Sequence, residues 1–315
     1  MTISRRTVVK SGAIVLAAGL IGAGAPGRWS RTIPITIAGG QQDGVYLQFA
    51  ELLADAINTA GLGLNCTSVQ TEGSVENIQL IGKGDAHIGI AMADVAVAAR
   101  KGQDLFESAA VPIMAIGRVC QNYLQLVVRE DAQLYEVTDL RGKKVSIGPE
   151  GSGTAMFGRR LTDAIQDVDK QYLSLSDATT ALENGRIDAL LWMGGVPTPA
   201  LAELHGRVGI RLLPTEELLR KLRDRYGAVY RKAIIPSGSY GKGGMSTIGV
   251  ANLLVCASTL ADGIAADVAQ VLFDRAAYLV PPEALGTQFL DHCSLTGTDV
   301  PMHPGAAAVY RREHG

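Results

Sequence analysis

The sequence predicts an α/β protein built from two similarly wound lobes, and three observations support this prediction. Short apolar segments alternate with amphipathic segments of helical periodicity from about residue 33 to residue 193. A short turn sequence that precedes the last strand of the first set of elements recurs before a strand of a second set. Two long apolar segments, residues 113–129 and 247–258, have the composition of strands and bracket that second set. A chain of 315 residues is long enough for two domains of ordinary size.

The overall composition excludes several classes of protein. Hydrophobic residues make up 47% of the chain and charged residues 19%, which supplies a large core and argues against intrinsic disorder. The 29 basic and 31 acidic residues give a formal net charge of −2 without a basic stripe, so we expect no nucleic-acid partner. The cysteines are far apart and form no C-x-x-C pair, which excludes a zinc ribbon and a disulfide-framed mini-protein. They are Cys66, Cys120, Cys256 and Cys293.

The first set of elements begins with a strand over residues 33–38, in which isoleucine recurs at every second position. Apolar residues at helical spacing then predict an amphipathic helix over residues 44–59. Further strands are predicted over residues 65–71 and 86–92, with a helix around residues 77–80 between them. Residues 86–92 are almost continuously apolar, which is typical of a strand buried on both faces in a parallel sheet.

The second set repeats this order further along the chain. Its predicted elements are strands over residues 144–148, 171–175 and 187–193 and helices over residues 154–165 and 178–184. Residues 82–86 read Gly-Lys-Gly-Asp-Ala and residues 185–189 read Gly-Arg-Ile-Asp-Ala, as expected where a helix ends and a strand begins. Because many α/β turns look like this, the shared turn alone leaves the duplication open.

The two long strand segments favour two lobes, because one segment carries the chain out of the first lobe and the other carries it back. We predict a first lobe of residues 31–123 with residues 250–315, and a second lobe of residues 124–249. Ligands of open α/β sheets bind at the carboxyl ends of the strands. The cleft between the lobes is therefore the expected binding site.

The N-terminus has the layout of a bacterial export signal. Arg5 and Arg6 precede residues 11–27, a Gly- and Ala-rich run without any charge, and adjacent arginines indicate the twin-arginine route. The run is shorter than the ~20 apolar residues of a spanning helix. Small residues at 23–25 fit cleavage, and a retained N-terminal anchor is the alternative. We therefore expect residues 1–30 to be an export signal and the remainder to be soluble in the periplasm.

The residues that could support catalysis are few. The histidines are scattered and show no metal-binding spacing. Residues 151–154 read Gly-Ser-Gly-Thr, but Glu150 occupies the position where a nucleophile elbow needs glycine. Residues 241–244 lack the spacing of a phosphate-binding Walker loop. We therefore expect a protein that is not an enzyme and that uses no metal and no cofactor.

Three strand-to-helix junctions have the composition of anion-binding sites. They lie at residues 43–46, 72–74 and 151–154, where glycine, serine, threonine and acidic residues precede a helix. Free backbone N–H groups and the positive end of the helix dipole attract a carboxylate or phosphate at such a junction. Ordinary N-capping explains any one of them. Three junctions on facing lobes favour an anionic ligand.

These residues belong to a set of motifs that resembles the TAXI-type solute-binding proteins of tripartite ATP-independent periplasmic (TRAP) transporters. The resemblance runs from about Ile35 to Arg312. Its motifs are Gly44-Val45-Tyr46, Glu72–Asn77, Asp94-Val95-Ala96, Asp139–Gly148, Gly151–Thr154, Gly194–Pro197 and His303–Ala306. The chain departs from the pattern at residues 119–122, which read Val-Cys-Gln-Asn where relatives often carry Tyr-Pro-Glu. If that segment contacts ligand, the solute differs from the usual one.

The resemblance implies a two-lobed periplasmic binding protein fold of the type II-like class that closes over a small carboxylate-bearing solute. Glutamate, glutamine or a related dicarboxylate is implied, delivered to the membrane subunits of a TRAP transporter. Carried over residue by residue, the ligand contacts are Gly44, Tyr46, Ser74, Asn77, Asp94, Ser152, Gly153, Thr154 and Gly195. Tyr46 and Ser74 would contact the ligand, Asp94 would accept from an ammonium group, and residues 152–154 would hold the carboxylate.

Purely structural roles for single residues, and rival functions for the protein, remain as alternatives to this interpretation. Tyr46 could pack within its helix, Asn77 could lie on a helix surface, and Asp94 could merely cap a helix. The protein could also present its ligand to a sensor or to another importer. A periplasmic hydrolase that uses Ser152 is a further alternative, although the sequence offers no general base for it.

Overall fold

The structure is a computed structural model that describes residues 32–42, 44–240, 244–282 and 299–314. The predicted export signal lies outside the described residues, as do Asp43 and Cys293. In the part of the chain that is described, no helix combines the length and apolar character needed to cross a membrane.

Strands and helices alternate through most of the described chain. The strands are β1 (Ile33–Ala38), β2 (Leu64–Val69), β3 (Ile88–Met92), β4 (Ile113–Arg129), β5 (Lys144–Ser146), β6 (Asp169–Gln171), β7 (Ala189–Gly194), β8 (Ile210–Leu212), β9 (Tyr230–Ile235) and β10 (Met245–Ala257). The helices are α1 (Val45–Thr59), α2 (Ser74–Lys83), α3 (Ala93–Lys101), α4 (Gly153–Ile165), α5 (Leu175–Glu183), α6 (Pro199–Val208), α7 (Leu218–Tyr226), α8 (Asp262–Asp274) and α9 (Pro304–His314).

The described strands form one mixed sheet in the order β2-β1-β3-β10-β4-β7-β5-β6, with β8 beside β4 and β9 beside β10. Strand β1 lies between β2 and β3 and is parallel to both, and β5 lies in the same way between β6 and β7. Each unit therefore has the same β-α-β-α-β winding. The prediction of two similarly wound lobes is confirmed.

The two long antiparallel strands β4 and β10 connect these units. Residues 249–257 of β10 pair with residues 113–123 of β4, beyond which β4 pairs with β7 and β10 with β9. The predicted strand over residues 113–129 matches β4 to the residue. Each strand thus belongs to the first lobe at one end and to the second lobe at the other.

The C-terminal helices pack beside the first set of elements. Helix α8 contacts α1, β4 and α9. The backbone before α9 bonds to β4, where Ala115 N donates to Pro301 O and His303 N donates to Ala115 O. The division into residues 31–123 with 250–315 and residues 124–249 stays a prediction.

Two apolar layers explain why β3 is buried along its whole length. Ile88 and Ile90 belong to the core under α1 and α8, whereas Ala91 and Met92 belong to the core under α2 and α3. The latter core continues through β4 into the second lobe, where it includes Phe157 of α4. As expected for a parallel sheet covered by helices, the strand needs no polar face.

One predicted element is wrong in position. Residues 171–175 do not form a strand, because β6 ends at Gln171 and α5 begins at Leu175. Ser174 is the N-cap of α5, and its hydroxyl accepts a hydrogen bond from Asp177 N at 3.1 Å. The local cap therefore outweighs the strand-like composition of the segment.

Candidate functional site

A cleft lies where the carboxyl ends of the two parallel strand sets face each other. It encloses about 610 Å³, counting the space open to solvent. Its lining comes from both lobes and consists of Gly40, Gln41, Gly44, Val45, Tyr46, Glu72, Gly73, Ser74, Met92, Asn122, Ser152, Gly153, Thr154, Trp192, Met193, Gly194, Gly195, Pro197, Thr198 and Pro199. This is the place that strand-end geometry predicts for a ligand.

Four helices begin at this cleft. Their N-cap residues are Gly44 for α1, Gly73 for α2, Ser152 for α4 and Thr198 for α6, and all four line it. Among the described residues, no N-cap side chain accepts from the first turn of α1, α2 or α6. Some first-turn donors are not available, since Glu76 N donates to Gly151 O and Pro199 has no N–H group. The remaining backbone N–H groups and the helix dipoles favour an anion in this cleft.

The beginning of α6 is a site feature that the sequence interpretation missed. Thr198 is followed by Pro199 at the first helical position, a sequence typical of a helix start. That signal was present in the sequence. Gly195, which was predicted, lies in the same turn, and its carbonyl oxygen accepts from Gln125 Nε2 at 3.1 Å and from Thr198 Oγ1 at 2.7 Å.

Two hydroxyl groups at the start of α4 have different roles. Ser152 Oγ accepts from Ala155 N at 3.0 Å and donates to Pro149 O at 2.7 Å, so it caps the helix. Thr154 Oγ1 accepts from Met193 N at 3.4 Å and donates to no acceptor among the described residues. Both residues line the cleft, but Thr154 has the hydroxyl that can donate to a ligand.

Gly153 allows the two lobes to approach closely at the same point. A Cβ atom there would lie 2.7 Å from Met92 Sδ and 2.8 Å from Ser74 Oγ. Ser74 Oγ in turn accepts from Met92 N at 3.0 Å. The starts of α2 and α4 therefore contact each other across the cleft, because residue 153 has no side chain.

Further contacts tie the lobes together around the cleft. Glu76 N donates to Gly151 O at 3.0 Å, and Leu175 N donates to Gln41 Oε1 at 3.4 Å. Each pair joins the first set of elements to the second. The two lobes are therefore in direct contact beside the cleft.

Tyr46 takes part in a polar network where the crossing strands meet. Its hydroxyl donates to Asn252 Oδ1 and accepts from Asn122 Nδ2 at 3.3 Å, and Asn252 Nδ2 donates to Asn122 Oδ1 at 2.8 Å. Removal of the hydroxyl from water, with Cys120 nearby, raises the pKa of Tyr46 well above 10. The phenol is thus neutral at physiological pH. Asn122 lines the cleft, so the segment that departs from the family pattern does reach the site.

Asn77 lies outside the cleft lining and has a structural role. Its side chain is buried, and Nδ2 donates to Gly39 O at 2.5 Å and to Ile90 O at 2.8 Å. Its Oδ1 accepts from Thr71 Oγ1 at 2.6 Å. The residue therefore joins the ends of β1 and β3. All its polar atoms are occupied by protein groups, which corrects the interpretation as a ligand contact.

Asp94 also lies outside the cleft lining, contrary to the expected role as an acceptor for a ligand ammonium. Its fully buried carboxylate accepts from Tyr230 OH at 2.8 Å and Val95 N at 3.0 Å, and Oδ2 lies 3.4 Å from Arg160 Nη1. Arg160 also pairs with Asp104 at 2.6 Å. Burial raises the pKa of Asp94, and the positive charge of Arg160 opposes that rise. The Asp94 carboxylate is therefore engaged by groups of the protein itself.

The remaining lining is largely apolar. Val45, Met92, Trp192, Met193 and Pro197 form this part of the cleft, which we call the apolar surface. The indole N–H of Trp192 is buried without a hydrogen-bond partner among the described residues. A ligand held here would contact backbone and hydroxyl donors as well as apolar side chains, which is the usual composition of a small-molecule site.

Comparison with known families and structures agrees with this architecture. A family model described as the NMT1-like family matches residues 37–315. A putative L-cystine ABC transporter protein from Listeria monocytogenes is 13% identical with a TM-score of 0.54, covering 83% of this chain and 99% of that one. The periplasmic binding protein BugD is 12% identical with a TM-score of 0.50, covering 81% of this chain and 89% of that one.

A third similar structure comes from work on glutathione import via GshT and the cystine ABC importer TcyBC of Streptococcus mutans. It is 12% identical with a TM-score of 0.52, and the alignment covers 82% of this chain and 97% of that one. These similarities show that the fold is the two-lobed α/β fold of periplasmic solute-binding proteins.

Proposed function

The chain belongs to the NMT1-like family, and from that premise we propose that it is an extracytoplasmic protein that binds a small carboxylate-bearing solute. The observation that carries the proposal is the convergence of four helix N-termini on one cleft between the lobes. Such N-termini attract anions through free N–H groups and the helix dipole. The chemistry is binding without turnover.

The energetics of such a site are sufficient for useful affinity. Micromolar binding corresponds to about −8 kcal/mol, and a hydrogen bond to a charged group contributes a net of roughly 1.5–3 kcal/mol. Three or four bonds from helix N–H groups and the Thr154 hydroxyl, together with apolar contacts, reach this range after the costs of association. No arginine or lysine side chain lines the cleft within the described residues, so these neutral donors supply the attraction.

For the partner, we propose the membrane subunits of a TRAP transporter. The support is the set of motifs that resembles TAXI-type proteins, from Gly44-Val45-Tyr46 to His303–Ala306. Two of the similar structures are connected with ABC importers, and delivery to such an importer or to a sensor is the competing possibility. Uptake into vesicles that hold the permease distinguishes them, because TRAP transport needs an ion gradient and ABC transport needs ATP.

For the location, we propose the periplasm, reached through residues 1–30 as a twin-arginine signal. The support is the Arg5-Arg6 pair ahead of a weak apolar run.

The binding proposal is tested by calorimetric titration of purified residues 31–315 with carboxylates and with their methyl esters. We expect the acids to bind in the micromolar range and the esters to bind at least about tenfold more weakly, since an ester carries no charge for the helix N-termini. Equal affinity for acids and esters, or no binding of any carboxylate, would contradict the proposal.

A further inference from the structure

The polar part of the cleft and its apolar surface differ in the ligand group that each can accept. The polar part holds helix N-termini together with the Thr154 hydroxyl, which are neutral donors suited to one carboxylate. The apolar surface, by contrast, includes Met92, Trp192 and Met193. A charged group placed against such side chains would lose its hydration, and the indole N–H of Trp192 is the one side-chain donor among the described residues of this surface that could replace a part of it.

The carboxylate that could have received a ligand ammonium is already engaged. Asp94 follows Met92 by two residues, but its oxygens accept from Tyr230 and Val95 and face Arg160. Its side chain is 0% exposed. Recruiting Asp94 for a ligand would require breaking a buried ion pair, which leaves Arg160 buried without its counter-charge.

Glu72 is the carboxylate that lines the cleft within the described residues, and it lies in an exposed position. Its side-chain carbons approach Gly151 of the second lobe, where a Cβ atom would lie 3.0 Å from Glu72 Cβ. An ammonium group attracted to Glu72 would stay hydrated, and exposed ion pairs of this kind add little affinity.

We propose that the ligand is a small organic monocarboxylate with an apolar body and without an ammonium group or a second carboxylate. The carboxylate lies at the helix N-termini near Thr154, and the apolar body lies against Trp192, Met92 and Met193. This inference rests on the proposed function, since it assigns the ligand class of the same cleft. It replaces the glutamate-like solute that the family resemblance implies.

Trp192 is the main specificity-determining residue of this assignment. Its indole lies across Gly194, where a Cβ atom would come within 2.2 Å of Trp192 Nε1, so glycine at 194 leaves room for the ring. The indole is partly exposed and lines the cleft at the end of β7. A flat apolar ring in this position favours an alkyl or aromatic body over a hydrated charged group.

The test compares acids that share a carbon skeleton and differ in one group. Calorimetric titration of the purified chain uses 4-methylpentanoate against L-leucine, which adds an ammonium, and pentanoate against glutarate, which adds a carboxylate. L-Glutamate is included as the solute implied by the family resemblance. We expect 4-methylpentanoate to bind at least about tenfold more tightly than L-leucine, and pentanoate at least about tenfold more tightly than glutarate.

Two variants separate the apolar surface from the exposed carboxylate. Trp192→Ala should weaken binding of 4-methylpentanoate at least about tenfold. Glu72→Gln should not weaken it, because this change removes a negative charge from the cleft that holds the carboxylate. Melting curves of both variants establish that the lobes remain folded. If the melting temperature of Trp192→Ala is well below that of the parent protein, Met193→Ser provides the same test, with the same expected loss of affinity for 4-methylpentanoate.

The outcomes distinguish this inference from the function on which it rests. Tighter binding of L-leucine, glutarate or L-glutamate than of the matched monocarboxylate would overturn the ligand class and leave the binding function intact. A large loss of affinity for 4-methylpentanoate in Glu72→Gln would overturn the proposed ligand class as well. Failure of every acid to bind would overturn the proposed function and the inference together.

Discussion

Replacing Arg160 with methionine should lower the free energy of unfolding by about 3–5 kcal/mol, because the change leaves a carboxylate buried without its counter-charge. Asp94 is 0% exposed and Arg160 is 5% exposed, so water cannot replace the lost partner. Methionine keeps much of the apolar volume of the arginine stem. The loss therefore reports on charge rather than on a cavity.

The dependence of this loss on pH tests its cause. Burial raises the pKa of Asp94, and removing Arg160 should raise it further because the positive charge lowers it. A carboxyl with a raised folded pKa contributes stability below its unfolded pKa and loses that contribution as pH rises through the folded pKa. The difference between the variant and the parent should therefore be smaller near pH 4 than at pH 7.

Urea unfolding followed by circular dichroism at both pH values measures this difference. Lys232→Met is the matched control, because Lys232 forms an ion pair of 2.6 Å with Glu216 in which both side chains are more than half exposed. Its removal should leave stability nearly unchanged. A loss below 1 kcal/mol in Arg160→Met, or an equal loss at pH 4 and pH 7, would refute the reasoning.

Three other perturbations have clear expected results. Ser152→Ala should lower stability by about 1 kcal/mol through loss of the α4 cap while solute affinity stays within about twofold; a tenfold loss of affinity in calorimetry would contradict the capping role. Tyr46→Phe should lower stability by about 1–3 kcal/mol in urea unfolding, since Asn122 and Asn252 lose a buried partner, and unchanged stability would refute that network. Changing Arg5 and Arg6 to lysine should leave precursor in the cytoplasm, as cell fractionation would show; normal export would refute the twin-arginine route.

Local sequence patterns predicted most of the fold because the responsible forces are themselves local. The isoleucine alternation of residues 33–38 and the helical spacing after Gly44 appear in the structure as β1 and α1. The apolar run that forms β4 was long enough to identify a crossing strand. The strand predicted over residues 171–175 was wrong because the N-cap at Ser174 begins a helix there, in a segment whose composition also suits a strand.

The candidate site was only partly predictable, since side-chain direction depends on distant partners. Glycines and hydroxyls at helix starts identify the junctions, and Ser74, Gly153 and Thr154 do line the cleft. Asp94 also lies in the first turn of a helix, α3, yet Arg160, 66 residues further along the chain, engages its carboxylate away from the cleft lining. No pattern near Asp94 in the sequence contains that information.

The central claim, a carboxylate held at the start of α4, is tested most directly by Thr154→Val, compared with Thr162→Val in the same helix. Both hydroxyls are buried, but Thr162 Oγ1 donates to Gly158 O at 2.8 Å within the helix, whereas Thr154 lines the cleft. For the tightest-binding carboxylate, calorimetry should show about tenfold weaker binding for Thr154→Val and unchanged binding for Thr162→Val, with similar melting temperatures. Unchanged affinity in Thr154→Val, or an equal loss in both variants, would contradict the claim.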